Sequence, residues 1–118
     1  MKKIFLAVFL VLIFFVAGCS SNIPAPASEE LREFATCLTE NGARIFGATW
    51  CPHCVEQKEM FGDAISEINY IECTEEKQKC EDENITLLPT WRFEDKSEVT
   101  GVQTFAFLAE KTGCSLPS

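Results

Sequence analysis

Cys51 and Cys54 stand two residues apart in the stretch Trp50-Cys51-Pro52-His53-Cys54. Thiols at that spacing can close a small disulfide ring without disturbing the backbone, so thiol–disulfide exchange is the chemistry they could do. If a helix begins here, the first sulfur faces unpaired backbone N–H groups and the positive end of the helix dipole. The thiolate is favoured at such a place, which makes Cys51 the expected attacking sulfur. Cys54, one turn further in, is then the resolving thiol, and Pro52 suits the helix's first turn. His53 can further favour the Cys51 thiolate, by its charge or by a hydrogen bond. A better-stabilised thiolate is a better leaving group, and the disulfide becomes more oxidising. The competing reading is a metal site, because the same spacing supplies half of a zinc centre. Its other ligands would have to come from Cys73, Cys80 or His53, and Cys73 to Cys80 is not a ligand-pair spacing. With His53 the only histidine, no Cys–His–Asn protease can be assembled. No Gly-rich phosphate loop is present either.

The elements that must hold this pair are legible on both sides of it. Leu31, Phe34, Ala35 and Leu38 fall at helical spacing, with Glu29 and Glu30 in the first turn and Asn41-Gly42 as a stop. Ala43 to Ala48 reads as a short buried strand leading into the motif. The motif helix carries Met60, Phe61, Ala64, Ile65 and Ile68 on an apolar face, which predicts that it continues to Ile68. Asn69 to Cys73 reads as a strand and Glu75 to about Asn84 as a polar helix. Asn84-Ile85-Thr86 fits a glycosylation sequon and reads as that helix's end. Thr90 to Phe93 and Glu98 to Val102 are two strands joined by a turn at Glu94-Asp95-Lys96-Ser97. A last helix carries Phe105, Leu108 and Ala109 and ends at Gly113. Trp50 and Trp91 are expected to pack around the cysteine pair. The pattern is α/β with a central mixed sheet flanked by helices.

The chain of 118 residues bounds the molecule to one small domain and whatever precedes it. Met1-Lys2-Lys3 is basic, and Ile4 to Ala17 is an unbroken apolar run. That run is shorter than the roughly 20 residues of a comfortable membrane span. With small residues at its end it reads as an export signal over residues 1–18. Val16-Ala17-Gly18-Cys19 resembles the lipobox of bacterial lipoproteins, which implies lipidation at Cys19 and a bacterial-type, extracytoplasmic membrane surface. Residues 19–28, small, polar and twice interrupted by Pro, are the expected tether, and residues 29–118 the domain. Loss of Lys2 and Lys3 with the signal takes the formal charge from −8 to −10. So acidic a chain is not built for nucleic acid or for docking on anionic lipid.

A strand, Trp-Cys-x-x-Cys, a helix, and later Leu88-Pro89-Thr90 before another strand resembles the thioredoxin superfamily. In that superfamily a cis proline lies against the active disulfide, and Pro89 occupies the matching position. Leu88 then offers backbone for an extended substrate segment to pair with. More narrowly, Phe46 to Cys54, Gln57-Lys58, Phe61-Gly62, Tyr70 to Cys73, Pro89-Thr90-Trp91 and Gly101-Val102-Gln103 resemble the thioredoxin-like domain fused to bacterial vitamin K epoxide reductase homologues. The similarity runs from about Leu31 to Cys114. It implies a thiol–disulfide oxidoreductase with no cofactor beyond its own redox-active disulfide. Its partners would be the thiols of secreted or periplasmic proteins and a separate quinone-linked thiol oxidase in the membrane. The Pro-His dipeptide is that of DsbA, a strong oxidant at about −120 mV. A reductant of the same fold, serving for instance cytochrome maturation, is the alternative, and a soft-metal-binding lipoprotein is the alternative from another class. One position departs from the pattern. Many thioredoxins bury an acid six residues before the first Cys, where this chain has Ile45. The usual proton carrier to the resolving Cys is therefore missing, with Glu72 on the next strand as a possible substitute.

Of seven cysteines, Cys37, Cys73, Cys80 and Cys114 are left when Cys19 and the reactive pair are set aside. An even remainder in an exported protein suggests two structural bridges, for which three pairings exist. Cys73 with Cys80 is the natural local pair, and the resembled family carries a comparable one. Cys37 with Cys114 would then tie the first helix to the chain end. The rival reading is a second redox pair relaying electrons from Cys51 and Cys54.

Overall fold

A computed structural model describes residues 26–118. The expected signal peptide, Cys19 and most of the tether lie outside the described residues. The end of the expected tether is fastened to the body: the Ala27 N–H donates to Asp63 Oδ1 at 2.7 Å. Ser28 caps α1, Glu29–Glu40, by accepting the Leu31 N–H, while Glu29 and Glu30 face the positive end of that helix. Phe34, Ala35 and Leu38 form its buried stripe.

The sheet is ordered β2-β1-β3-β4, from β1 (Arg44–Gly47), β2 (Tyr70–Glu72), β3 (Thr90–Arg92) and β4 (Glu98–Thr100). β1 and β2 run parallel, so a crossover must join them, and α2 (Pro52–Phe61) supplies it. The other two pairings are antiparallel, and β3 turns into β4 through a tight loop in which the Asp95 side chain accepts the Ser97 N–H. Alternation along the strands separates two cores. Ile45 and Trp91 face Phe34, Leu38, Phe61 and, from α4 (Phe105–Thr112), Leu108. Phe46 and Ile71 point to the opposite face, where Cys80 of α3 (Lys77–Asp82) covers them. This mixed-sheet α/β arrangement is the thioredoxin-like fold expected from the sequence. Among the described residues no helix is long and apolar enough to cross a membrane.

Two expected elements come out differently. The motif helix does not continue to Ile68 but ends at Phe61. Gly62 adopts φ 54° and ψ −134°, a conformation that breaks the helix and that L side chains rarely take. Gly62–Glu67 follow as a 3₁₀ segment that still buries Ala64, so the apolar stripe survives although the helix does not. β4 stops at Thr100 rather than Val102, because Gly101 turns with φ 89°.

Charge is gathered at the rim of the second core. Arg44 grips Glu83 through two hydrogen bonds of 3.0 and 3.1 Å. Arg92, itself buried, pairs with the same carboxylate and reaches Glu98 at 2.6 Å. Both guanidinium groups lie over the Phe46 ring, 5.3 and 5.4 Å from its centroid. The hydrogen bonds from Arg44, with both positive charges behind them, hold the Glu83 carboxyl below the usual carboxylate range despite its partial desolvation.

Candidate active site

β1 delivers the chain to the site, and α2 begins there. Cys51 is the N-cap of α2, with extended backbone at φ −90° and ψ 111°. Its sulfur accepts the Cys54 N–H at 3.3 Å, one of the donors that a helix start leaves unpaired. Pro52 occupies the first turn, where a missing N–H costs nothing. The two cysteines are both buried, with Cys54 fully enclosed. Cys51 nevertheless lines a surface groove of about 340 Å³ together with Trp50, Cys73, Cys80, Leu87 and Leu88. Cys51 thus borders the groove, while Cys54 is fully enclosed. Burial, above all, and the hydrogen bond with Cys51 push the Cys54 thiol up to about 12. The charges of Cys51 and Glu72 act in the same direction, and the backbone of Ala48 acts against them. The two sulfurs therefore sit differently: Cys51 at the helix start on the groove wall, Cys54 fully enclosed with its thiol held protonated.

The Leu88–Pro89 bond is cis, and Leu88 packs against the cluster of Ala48, Cys51 and Cys54. The loop before it is fixed by the Thr90 hydroxyl, which donates to the Leu87 carbonyl at 2.6 Å. His53 is exposed, and the hydrogen-bond partner of its Nδ1 is Glu56 at 3.3 Å. No direct hydrogen bond joins it to Cys51. Neither tryptophan is in the cysteine cluster: Trp91 is fully buried in the core with Ile45 and Phe61, and Trp50 is 70% exposed. It sits on the turn before the N-cap and projects outward, so it forms a rim of the groove instead of packing beneath the pair. Glu72 accepts the Thr49 N–H at 3.1 Å and the Thr74 hydroxyl at 2.7 Å, which ties the loop before Cys51 to the end of β2.

Cys73 is bonded to Cys80 and Cys37 to Cys114. Among the described residues no three His, Cys, Asp or Glu side chains converge as metal ligands.

Two residues whose part was not read from the sequence complete the site. Gln57, fully buried on α2, accepts the Trp91 Nε1–H at 3.1 Å and the Gln103 N–H at 2.7 Å, and donates to the Gln103 carbonyl at 3.2 Å. It fastens the reactive helix to β3 and to the segment after β4, with its polar groups satisfied in an otherwise apolar core. A lone polar residue one turn after Cys54, on the helix's inner face, was the available signal. The other is Tyr70, whose hydroxyl lies buried over Gly47 with no hydrogen-bond partner among the described residues.

No protein-family model matches this chain. In an alignment 105 positions long that covers 81% of the chain, it is 41% identical to the thiol-disulfide oxidoreductase LTO1 of Arabidopsis thaliana. The matched part makes up 28% of that relative, so this chain spans little more than a quarter of it. Among solved structures it is similar to oxidised mitochondrial thioredoxin 3 of Saccharomyces cerevisiae. That likeness has 19% identity and a TM-score of 0.43, over 70% of this chain and 89% of the other.

Proposed function

We propose that this protein is a thiol–disulfide oxidoreductase that donates the Cys51–Cys54 disulfide to the thiols of exported proteins. The observation that carries the reading is the asymmetry of the pair: Cys51 caps a helix at the wall of a groove, and Cys54 is enclosed behind it. The 41% identity to a thiol-disulfide oxidoreductase supports it. A substrate thiolate bonds to Cys51, the ring opens, and Cys54 leaves as the thiolate. A second substrate thiol then releases Cys51, leaving substrate oxidised and the pair reduced. A membrane thiol oxidase that passes electrons to quinone, of the vitamin K epoxide reductase kind, regenerates the disulfide. The direction rests on the Pro52-His53 dipeptide, which favours the reduced form. The purified protein should equilibrate with glutathione at a potential near that of DsbA, about −120 mV, and should oxidise a reduced test protein. A value near that of thioredoxin, about −270 mV, would leave the reductant as the better description.

Lipidation at Cys19 would keep the domain beside a membrane partner, and the lipobox-like Val16-Ala17-Gly18-Cys19 supports that placement. Expressed in a bacterium, the full chain should fractionate with membranes and the Cys19→Ala protein should not. Continued membrane partition of Cys19→Ala would sink the anchor.

A further inference from the structure

Tyr70 opens β2 and pairs in register with Ile45, the strand position at which the buried acid is missing. Its side chain passes over the end of β1 at Gly47. A Cβ at Gly47 would fall 2.0 Å from the Tyr70 hydroxyl oxygen and 2.7 Å from Cζ. Any residue larger than glycine would expel the phenol from this place. On α2, Lys58 holds its ammonium 4.6 Å from the ring centroid. The hydroxyl is buried and makes no hydrogen bond among the described residues. An unpaired buried hydroxyl costs folding energy, so on structural grounds alone phenylalanine would serve better here. Beyond Gly47 the chain runs into Ala48, which packs in one cluster with Cys51 and Cys54. Burial first, and then the charge of Cys54, hold the phenol protonated, with Glu72 and Cys51 adding to the effect. The Cys54 sulfur in turn faces the backbone of Ala48, the residue next to Gly47.

We propose that the Tyr70 hydroxyl is the hydrogen-bond donor that stabilises the Cys54 thiolate when the Cys51–Cys54 disulfide opens. The inference rests on the reading of that pair as an exchanging disulfide. In the opening step a thiolate forms a bond to Cys51 Sγ, the Cys51–Cys54 bond breaks, and its electron pair goes to Cys54 Sγ. That sulfur becomes an anion in an enclosed, poorly solvated place, where a hydrogen bond to charge is worth most. Tyr70 turns its unshared O–H onto it and keeps the proton, and the proton that later neutralises Cys54 comes from water. In the reverse step, Cys54 attacking a mixed disulfide on Cys51 passes through the same thiolate and gains from the same donor. Because its phenol stays protonated, Tyr70 acts as a donor and not as a base.

The test is Tyr70→Phe in the full chain, which removes one oxygen and keeps the ring that packs β2. Opening of the oxidised pair by excess dithiothreitol, followed by stopped flow, tests the sulfur chemistry in either direction of use. Tyr70→Phe should open roughly 10-fold more slowly, with resistance to denaturant equal to or above that of the native protein. Opening within twofold of the native rate would overturn the inference. A slower variant that is also less stable would overturn it too, since the hydroxyl would then be structural. A native protein whose pair neither oxidises nor opens would remove the exchange reading itself, and this inference with it.

Discussion

Cys54→Ser should turn the protein from a catalyst into a trap, leaving Cys51 covalently joined to any disulfide-bonded partner that enters the groove. Cys51 is placed to attack, at the helix start and on the groove wall. Once the mixed disulfide has formed, release requires a second sulfur. In the native protein that sulfur is Cys54, one turn away and held against Cys51 by the N-cap geometry. Intramolecular attack from a fixed position carries an effective concentration far above that of any free thiol. Losing it should slow turnover by on the order of 10³-fold, and the adduct should accumulate. Nonreducing electrophoresis with mass spectrometry would show the adduct on Cys54→Ser and none on Cys51→Ser. The reverse pattern, capture through Cys54 in Cys51→Ser, would overturn the assignment of roles. It is not expected, because Cys54 is fully enclosed and its thiol is pushed up to about 12.

What the sequence made legible is what local pattern controls. The helix start at Cys51 follows from Pro52 and the apolar spacing behind it, and the mixed sheet follows from the succession of strands and helices along the chain. The stripe of Ala64, Ile65 and Ile68 has a helical period, yet the chain satisfies it with a 3₁₀ segment after Gly62. Periodicity specifies which side chains point inward and is silent on how tightly the backbone winds. Of the two tryptophans, Trp91 sits in a central strand and is buried, whereas Trp50 sits on an exposed turn. Composition cannot separate those cases, because a tryptophan is stable in both. Gln57 and Tyr70 were hidden for another reason. Gln57 is defined by partners 34 and 46 positions away, and Tyr70 by a glycine on the neighbouring strand. Neither polar group has a meaning until the sheet brings those partners in.

The two bridges should differ sharply in what their loss costs. Cys37–Cys114 spans 77 residues and Cys73–Cys80 spans 7. Loop-closure entropy in the unfolded chain then gives about 4.5 kcal/mol for the first and about 2.4 kcal/mol for the second. Domains of this size have a total stability of roughly 5–14 kcal/mol, so the long bridge accounts for a large share of it. Its position adds to the effect. It joins α1 to Cys114, two residues past the end of α4; Leu38 and Leu108 of those helices share one core, and the Asn41 side chain donates to the Thr112 carbonyl at 3.0 Å beside it. Equilibrium denaturation of the paired serine variants should therefore rank Cys37→Ser/Cys114→Ser well below Cys73→Ser/Cys80→Ser. Equal losses, or the opposite order, would mean that native-state contacts rather than chain entropy set the cost. The same proteins also test the relay reading. Cys73 and Cys80 line the groove with Cys51, whereas Cys37 and Cys114 pack on the α1–α4 side of the sheet. Per folded molecule, oxidation of a test protein should be unchanged by the loss of Cys37–Cys114. A fall in that rate would mean that the rear bridge carries electrons and does more than hold the fold.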